Sequence, residues 1–240
     1  MWDFLTKQIF IGELIYAARW PLYMTALAMP LAIFFGLILA LMRLSRTRSL
    51  SWPAVVYIEI MRGTPLYVQL FIIFFSLPQI GELIGAQELL TLNPFPAAVL
   101  CLAANYAAYE AEIHRAGLLA VDKGQREAAL SIGMSESQAF FRVTLPQAFR
   151  IILPPVINDS IAMLKDSCLA HAIGVMELLS VAESIGRNSR TLTHAQAKMY
   201  IAAGILYMIL SLACYFFGKF IESKLKARAG EELHVEQARH

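Results

Sequence analysis

Charged side chains and cysteine are both scarce in this sequence of 240 residues. Only 16% of the residues are charged, whereas an ordinary soluble domain carries about 25%. The three cysteines stand singly in apolar surroundings, so they predict neither a disulfide framework nor a metal site. A formal net charge of +2 is too small to indicate a nucleic-acid partner. The phosphate-binding pattern GxxxxGK[ST] is also missing, which argues against a nucleotide site in this chain.

Apolar residues, in contrast, make up 58% of the chain, and its mean hydropathy is +0.57. This composition predicts an all-α integral membrane protein, because a helix of about 20 apolar residues crosses the roughly 30 Å of hydrocarbon in a bilayer. We therefore expect five transmembrane helices. They correspond to residues 21–42, 52–77, 94–119, 146–166 and 195–220.

The distribution of basic residues predicts how these helices are oriented. Arg43, Arg46 and Arg48 follow the first span, and Lys219 and Lys224 lie at the end of the last. The loop after the second span carries two acids and no base, so the N-terminus is expected outside and the C-terminus in the cytoplasm. The predicted organisation is an interfacial N-terminal helix (1–18), a single transmembrane domain (19–228) with a cytoplasmic loop at about 121–146, and a cytoplasmic tail (229–240).

The cytoplasmic loop predicts a helical hairpin. Glu-Ala-Ala at 127–129 favours a short helix, and Gly133 stands where a left-handed turn would end it. Ser135 and Gln138 have the spacing of a capping box, so a second short helix should begin there and stop at Pro146. One side of the hairpin is apolar and the other is charged, which suits docking into a cleft of a partner. The alternative is a loop folded on its own protein.

The second span contains charged and helix-breaking residues, which are unusual in a transmembrane helix. Glu59 and Arg62 are three residues apart and can pair along one helix face, which lowers the cost of holding both at depth. Thr64 and Pro65 interrupt the helix, because proline removes a backbone hydrogen bond and frees a carbonyl that must face water, protein or ligand. The alternative is an internally paired kink without a function.

Several stretches resemble a known family. The Glu-Ala-Ala at 127–129, with Gly133 four residues on and Val-x-Leu-Pro at 143–146, resembles the EAA loop of permease subunits from bacterial ATP-binding-cassette importers. EIMRGTPLYVQLF, NYAAYEAEIHRAG and NDSIAMLKDSCLA resemble the polar amino-acid branch of these permeases, which includes histidine, arginine and glutamine permeases. The sequence departs from the family pattern at Glu110, His114, Cys168 and His171.

The resemblance implies the type I importer fold, with five transmembrane helices and a cytoplasmic coupling-helix loop. It implies an inner-membrane permease in contact with lipid, paired with a second copy or a sister permease. Its partners would be two ATPase subunits, which would hold ATP and Mg²⁺, and an extracytoplasmic solute-binding protein; no cofactor is expected in this chain. The residues expected to couple it to the ATPase are Arg126, Glu127, Ala128, Ala129, Gly133, Leu145 and Pro146.

Depth along the helices predicts a substrate site. Counted from the cytoplasmic ends, Thr64 in the second span and Asn158 and Asp159 in the fourth all lie roughly 18–20 Å into the membrane. Broken helices at that level commonly hold polar solutes in transporters. For an amino acid, Lys165 can take the carboxylate, and Asp159 or Asp166 the ammonium, while Thr64 and Asn158 orient the ligand. The second carboxylate then favours a basic amino acid.

Other functions remain open at this point. A membrane-embedded enzyme would need a cluster of reactive groups, and the one candidate cluster has no serine or cysteine nucleophile. Its members are Glu110, Glu112, His114 and Arg115. A structural or signalling membrane subunit would also explain the hairpin, and the chain could be the non-binding half of a heterodimeric amino-acid permease.

Overall fold

The computed structural model describes the backbone of residues 2–188 and 195–237, and the side chains of residues 10–188 and 195–225. In these ranges every regular element is a helix, and no strand occurs. The α-helices are α1 (Trp2–Ala17), α2 (Arg19–Leu44), α3 (Arg48–Gly63), α4 (Leu66–Phe71), α5 (Leu77–Leu83), α6 (Gln87–Leu90), α7 (Pro94–Ala120), α8 (Lys123–Ser131), α9 (Glu136–Ala139), α10 (Leu145–Asp166), α11 (Leu178–Asn188) and α12 (Ala195–Gln237). Two π-helical turns (Ile72–Ser76 and Phe140–Thr144) and a 3₁₀ helix (Ser167–Ile173) join some of them.

Each of the five predicted spans coincides with helix. By length and composition, four helical runs of the described residues can cross a membrane. They are Phe10–Leu44, Leu66–Leu83, Glu136–Ile173 and Ala195–Leu225. The predicted third span forms α7, which is not among these four because polar residues such as Asn105 and Glu110 interrupt its apolar sequence. More than half of α7 is buried among other helices, so it needs little apolar surface for lipid.

Small residues let α2 and α7 approach closely. A Cβ added to Gly36 would lie 2.5 Å from the Cβ of Glu110 and 3.1 Å from the carbonyl oxygen of Ala107. Ala28 and Ala32 of α2, and Ala107, Ala108 and Ala111 of α7, are fully or almost fully buried. Such small-residue contacts are the usual basis of helix packing in membranes, where lipid gives no hydrophobic drive for association. The close contact between α2 and α7 therefore depends on these small residues.

The second predicted span is broken where the sequence indicated. Helix α3 ends at Gly63, Thr64 and Pro65 are extended, and α4 begins at Leu66. The helix then runs through a π-helical turn and α5 to Leu83, six residues beyond the predicted end. The expected interruption of the second span is confirmed, and it separates two helical halves.

The hairpin has the predicted corner and the predicted cap. Gly133 has φ +87°, in the left-handed region, and follows α8. The Ser135 hydroxyl accepts from the backbone N–H of Gln138 at 3.3 Å, and the Gln138 side chain accepts from the N–H of Ser135 at 2.9 Å. The local sequence signals therefore determine both ends of the corner.

The expected end of the second hairpin helix is wrong. Helix α9 continues through the π-helical turn Phe140–Thr144 into α10, so one uninterrupted helical run passes Leu145 and Pro146. The π-helical turn changes the hydrogen-bonding register immediately before Pro146. A residue without an N–H therefore falls where the ladder is already shifted, and the helix tolerates it.

The segment after α10 packs against helices from both ends of the chain. Helix α11 lies between α1 and α12 and contacts them through Leu14, Leu178, Ala182 and Ala203. Residues 189–194 lie outside the described part. At the other end, α12 extends to Gln237, so much of the expected tail has helical backbone, and 238–240 lie outside the description.

Candidate functional site

A cavity of about 490 Å³ lies at the break between α3 and α4. Its size falls in the range typical of small-molecule sites. Three elements line it: the broken second span, the middle of α7, and one face of α10. The lining residues are Arg62, Gly63, Thr64, Pro65, Leu66, Asn105, Tyr106, Tyr109, Asp159, Ala162 and Asp166.

Helical periodicity decides which α10 residues face this cavity. Asp159, Ala162 and Asp166 are spaced i, i+3 and i+7, so they share one face. Asn158 and Lys165 lie on a neighbouring face and do not line the cavity. Of the five residues predicted to bind substrate, the structure brings together Thr64 and the two aspartates.

Asn158 and Lys165 instead line a second cavity, of about 670 Å³, between α10 and α12. Tyr207 and Ser211 are among the α12 residues on its other side. The sequence argument used depth along the helix, and depth alone leaves the direction around the helix axis undetermined. This is why it grouped side chains that the structure separates.

Arg62 supplies the positive charge of the first cavity. Its guanidinium lies 5.5 Å from the ring centroid of Tyr109, a cation–π contact. The predicted Glu59–Arg62 pair is not formed; Glu59 lies 3.9 Å from Arg43 at the end of α2. Arg62 is therefore left facing the cavity, opposite the aspartates of α10.

The acidic side of the cavity is ordered by α7. The Tyr106 hydroxyl donates to Asp166 Oδ2 at 2.8 Å, which fixes this carboxylate against the neighbouring helix. Asp159 lines the same cavity about two helical turns earlier on the same face of α10. The Thr64 hydroxyl already uses its one donor, because it donates to the carbonyl oxygen of Ile60 at 2.8 Å. Thr64 can therefore accept a hydrogen bond from a ligand but has no proton left to donate.

The hairpin presents an exposed surface that its own chain does not cover. Arg126, Glu127, Ala128, Gly133 and Pro146 are exposed, whereas Ala129 is buried and Leu145 is half-buried. Two large apolar side chains on it are also exposed: Ile132 at 76% and Phe141 at 64%. An ion pair between Arg126 and Glu136 joins α8 to α9. Exposed apolar groups rimmed by charges are typical of a docking surface.

The cluster considered for an enzyme is split in two. Glu110 and His114 are buried on one side of α7, with His114 Nδ1 3.6 Å from Glu110 Oε2. Glu112 faces elsewhere and pairs with Arg43 and, at 2.9 Å, with Arg115. These groups do not converge on a common point. Glu112 instead links α7 to the end of α2 through Arg43.

Sequence reasoning missed several cavity residues. Asn105, Tyr106 and Tyr109 come from NYAAYEAEIHRAG, a stretch that was noticed for its resemblance and not for its polar spacing. Tyr109 shares a helix face with Asn105 at i, i+4 and with Tyr106 at i, i+3, so the spacing itself could have indicated a polar wall. Arg62 was assigned to Glu59, although its place beside the break could have indicated the cavity.

Comparison with known proteins gives consistent matches. The family model described as binding-protein-dependent transport system inner membrane component matches residues 32–227. The chain is 40% identical over 222 residues to the L-cystine transport system permease protein TcyB of Bacillus subtilis (strain 168), covering 89% of this chain and 90% of that protein. It is 38% identical over 197 residues to the arginine transport system permease protein ArtQ of the same organism, covering 82% and 85%.

Solved structures agree with this. A crystal structure of an amino acid ABC transporter with histidines matches at a TM-score of 0.75 and 36% identity, covering 91% of this chain and 94% of that one. An inward-facing MetNI methionine ABC transporter matches at 0.70 and 20% identity, covering 88% and 95%, which shows the fold alone.

Proposed function

The chain belongs to the family of binding-protein-dependent transport system inner membrane components, and on this basis we propose that it moves a polar amino acid through the cavity beside Arg62. The protein is the permease subunit of an ATP-binding-cassette importer and spans the inner membrane several times. ATP is hydrolysed by a separate ATPase subunit, and a binding protein delivers the substrate. The fold is that of a type I importer permease.

The observation that carries the substrate proposal is the charge around the cavity. Arg62 is its cation, and Asp159 and Asp166 are its two carboxylates. An amino acid would place its α-carboxylate on Arg62 and its α-ammonium on one aspartate. The other aspartate then has no ligand partner unless the substrate carries a second cationic group. Arginine, lysine and protonated histidine meet this requirement.

Two relatives support this class and suggest one competitor. The relative ArtQ is named for arginine, and TcyB is named for L-cystine. L-Cystine also carries two ammonium groups, so it could satisfy both aspartates, but its second carboxylate would need a cation besides Arg62. A cationic amino acid is therefore the first candidate for this chain, and L-cystine is the second.

The coupling proposal concerns the hairpin. Its exposed Ile132 and Phe141, beside the exposed Glu127 and Gly133, favour contact with a partner over a loop folded on its own protein. We assign this surface to the ATPase subunit, which would hold ATP and Mg²⁺, with no cofactor in this chain. The full set of coupling residues remains Arg126, Glu127, Ala128, Ala129, Gly133, Leu145 and Pro146. Ala129 and Leu145 would act from inside the hairpin, by holding its shape.

The proposed orientation puts the hairpin and the arginines after α2 on the cytoplasmic side. Arg43 at the end of α2 pairs with Glu112 near the end of α7, so these two helix ends lie on the same side as the hairpin that follows α7. The basic residues of this loop favour the cytoplasm. An odd number of crossings then leaves the N-terminus outside. The permease would function as two copies or with a sister permease.

Reconstitution tests the proposed function. The permease would be purified with its ATPase subunits, placed in liposomes with its binding protein, and given a panel of labelled amino acids and L-cystine. We expect ATP-dependent uptake with a preference for cationic amino acids. Copurification of an ATPase without uptake of any amino acid would favour a structural or signalling subunit. Uptake that requires a sister permease with its own charged cavity would favour the non-binding half of a heterodimer.

A further inference from the structure

Pro65 leaves one identifiable carbonyl without its helical partner. In an α-helix the N–H of residue 65 would donate to the carbonyl of Met61, four residues earlier, and proline has no N–H. The Met61 oxygen is nevertheless satisfied. It accepts from Gln69 Nε2 at 2.8 Å and from Asn105 Nδ2 at 3.2 Å. Two side-chain amides thus replace the missing backbone bond.

Gln69 makes further contacts across the break. Its Nε2 lies 2.7 Å from the Thr64 hydroxyl oxygen and 3.2 Å from the Thr64 carbonyl oxygen. Its Oε1 accepts from Asn105 Nδ2 at 2.9 Å, which ties the break to α7. One side chain on α4 therefore contacts the end of α3, the extended residues between the halves, and the central helix.

We infer that Gln69 is a positioning residue for transport, which together with Asn105 holds the break in the shape that presents Arg62 and Thr64 to the cavity. The inference rests on the proposed function insofar as the cavity binds the substrate. Gln69 is 7% exposed and does not line the cavity, so it acts through its neighbours and not by touching the ligand. Asn105 belongs to both the amide pair and the cavity wall.

The Gln69–Asn105 amide pair fixes the geometry of the break through directional hydrogen bonds, which two apolar side chains could not form. Buried polar groups rigidify a structure when they are fully satisfied and destabilise it when one partner is lost. Removing the Gln69 amide would leave the Met61 oxygen with Asn105 as its side-chain donor and would take the Gln69 donor from both oxygens of Thr64. The break would then have to relax toward water in the cavity. Arg62, three residues before Pro65, would lose its fixed direction.

A cysteine at Gly63 can report the shape of the break directly. A Cβ added at this position meets nothing within 4 Å, so the reporter fits without displacing its neighbours. The complete importer with Gly63→Cys would be labelled with a water-soluble maleimide, and the same importer without the reporter would correct for the native cysteines. Gln69→Met removes the amide at similar length. Gln79→Met, in the exposed part of the same helical run, is the matched control.

We expect Gln69→Met to change the labelling rate at position 63 by about fivefold or more, the equivalent of one buried hydrogen bond. Without the reporter, the same variant should transport fewer substrate molecules per ATP hydrolysed, while Gln79→Met matches the parent in both measurements. Thr64→Val removes the hydroxyl that accepts from Gln69, at nearly constant volume, and should change labelling in the same direction. This variant provides the test if Gln69→Met does not assemble.

Labelling rates that stay within about twofold of the parent in both Gln69→Met and Thr64→Val would overturn the inference, because one lost hydrogen bond predicts a larger change. A general loss of stability would be seen as equal losses of ATP hydrolysis and uptake with a lowered Tm, and this outcome would also count against positioning. The proposed function fails separately, if the parent importer takes up no amino acid. The labelling result does not depend on uptake, so the two failures are distinguishable.

Discussion

Lys165 and Asp166 are adjacent in sequence and face different cavities. Asp166 accepts a hydrogen bond from Tyr106 and lines the cavity at the broken helix, whereas Lys165 lines the cavity against α12. A rotation of about 100° per residue along α10 separates them. The cation opposite the aspartates is therefore Arg62, which comes from a different helix.

The first prediction follows from this arrangement. Arg62→Gln should reduce uptake of every amino acid substrate by about tenfold or more, because a charge-assisted hydrogen bond to the α-carboxylate is lost. Lys165→Gln, the matched variant on the neighbouring face of α10, should keep most of the uptake. Initial rates in proteoliposomes would measure both. The reverse pattern would return the carboxylate to Lys165 and remove Arg62 from the site.

A second prediction separates the class of substrate from the presence of a site. Asp159→Asn keeps shape and hydrogen bonding but removes one negative charge from the cavity. Uptake of arginine or lysine should fall by about tenfold, while any uptake of glutamine persists, because a neutral ligand needs only one aspartate. Competition between labelled arginine and glutamine would measure the shift. Equal losses for all substrates would point to a structural role for Asp159.

How much of this site was predictable depended on the range of the interaction. The cap at Ser135 and the turn at Gly133 are set by residues within four positions, so the sequence was enough to predict them. Thr64 was correctly placed at a break because Pro65 acts on its own helix. The separation of Asn158 from Asp159 depends on which neighbours α10 packs against, and that information lies in distant parts of the chain.

The same limit explains the continuous helix at Pro146. Proline normally ends a helix, and the local sequence gave no reason to expect otherwise. The π-helical turn before it absorbs the missing hydrogen bond, and such turns have no reliable sequence signature. The expected Glu59–Arg62 pair is wrong for the same reason. Glu59 is three residues from Arg62 in sequence, whereas the ring that Arg62 contacts, Tyr109, comes from the distant helix α7.

A third prediction concerns the corner of the hairpin. Gly133 has φ +87°, so Gly133→Val should strain the backbone by about 1–2 kcal/mol or more. The added Cβ would meet no atom within 4 Å, so this strain would not come from a clash. Strain without a clash should distort the corner and lower uptake per ATP hydrolysed. Gly133→Asn is the control, since asparagine tolerates the left-handed region. Full coupling in Gly133→Val would show that the corner does not transmit movement.

A fourth prediction tests orientation. A cysteine introduced at Thr47 should react with a membrane-impermeant maleimide only from the cytoplasmic side, and one at Glu88 only from outside. Both native side chains are exposed, so labelling reports the side of the membrane and not burial. Glu88 is a better position than Gly85, whose φ of +70° disfavours any side chain. Labelling of both from the same side would overturn the proposed topology.

A fifth prediction concerns Glu177, which is fully buried between the spans. Its carboxylate accepts from the N–H groups of Leu179 at 2.8 Å and Ser180 at 2.7 Å, and from the Tyr207 hydroxyl at 2.7 Å. Burial raises the pKa of Glu177 above its usual value of 4.5, and these hydrogen bonds oppose the rise only in part. The folded state therefore holds this proton more readily than the unfolded state does.

The sign of the pH dependence follows from that difference. The contribution of Glu177 to stability is greatest at low pH and falls as the pH rises above 4.5 through the folded-state pKa. Glu177→Gln does not titrate, so its Tm relative to wild type should rise as the pH increases above 4.5. A falling difference for Glu177→Gln would contradict the raised pKa.

The unbroken run from α9 through α10 has a mechanical consequence. Glu136, at its hairpin end, is separated from Asp159 by 23 residues, or roughly 34 Å of helix. No loop lies between them; Pro154 and Pro155 stand inside α10 without ending it, so one continuous helical run has one end in the hairpin and its middle at the cavity. A tilt imposed at the hairpin would therefore move the aspartates as well, and Pro154 and Pro155 are where the run would bend. Pro146 lies inside this run, because the π-helical turn before it accommodates the hydrogen bond that proline cannot make.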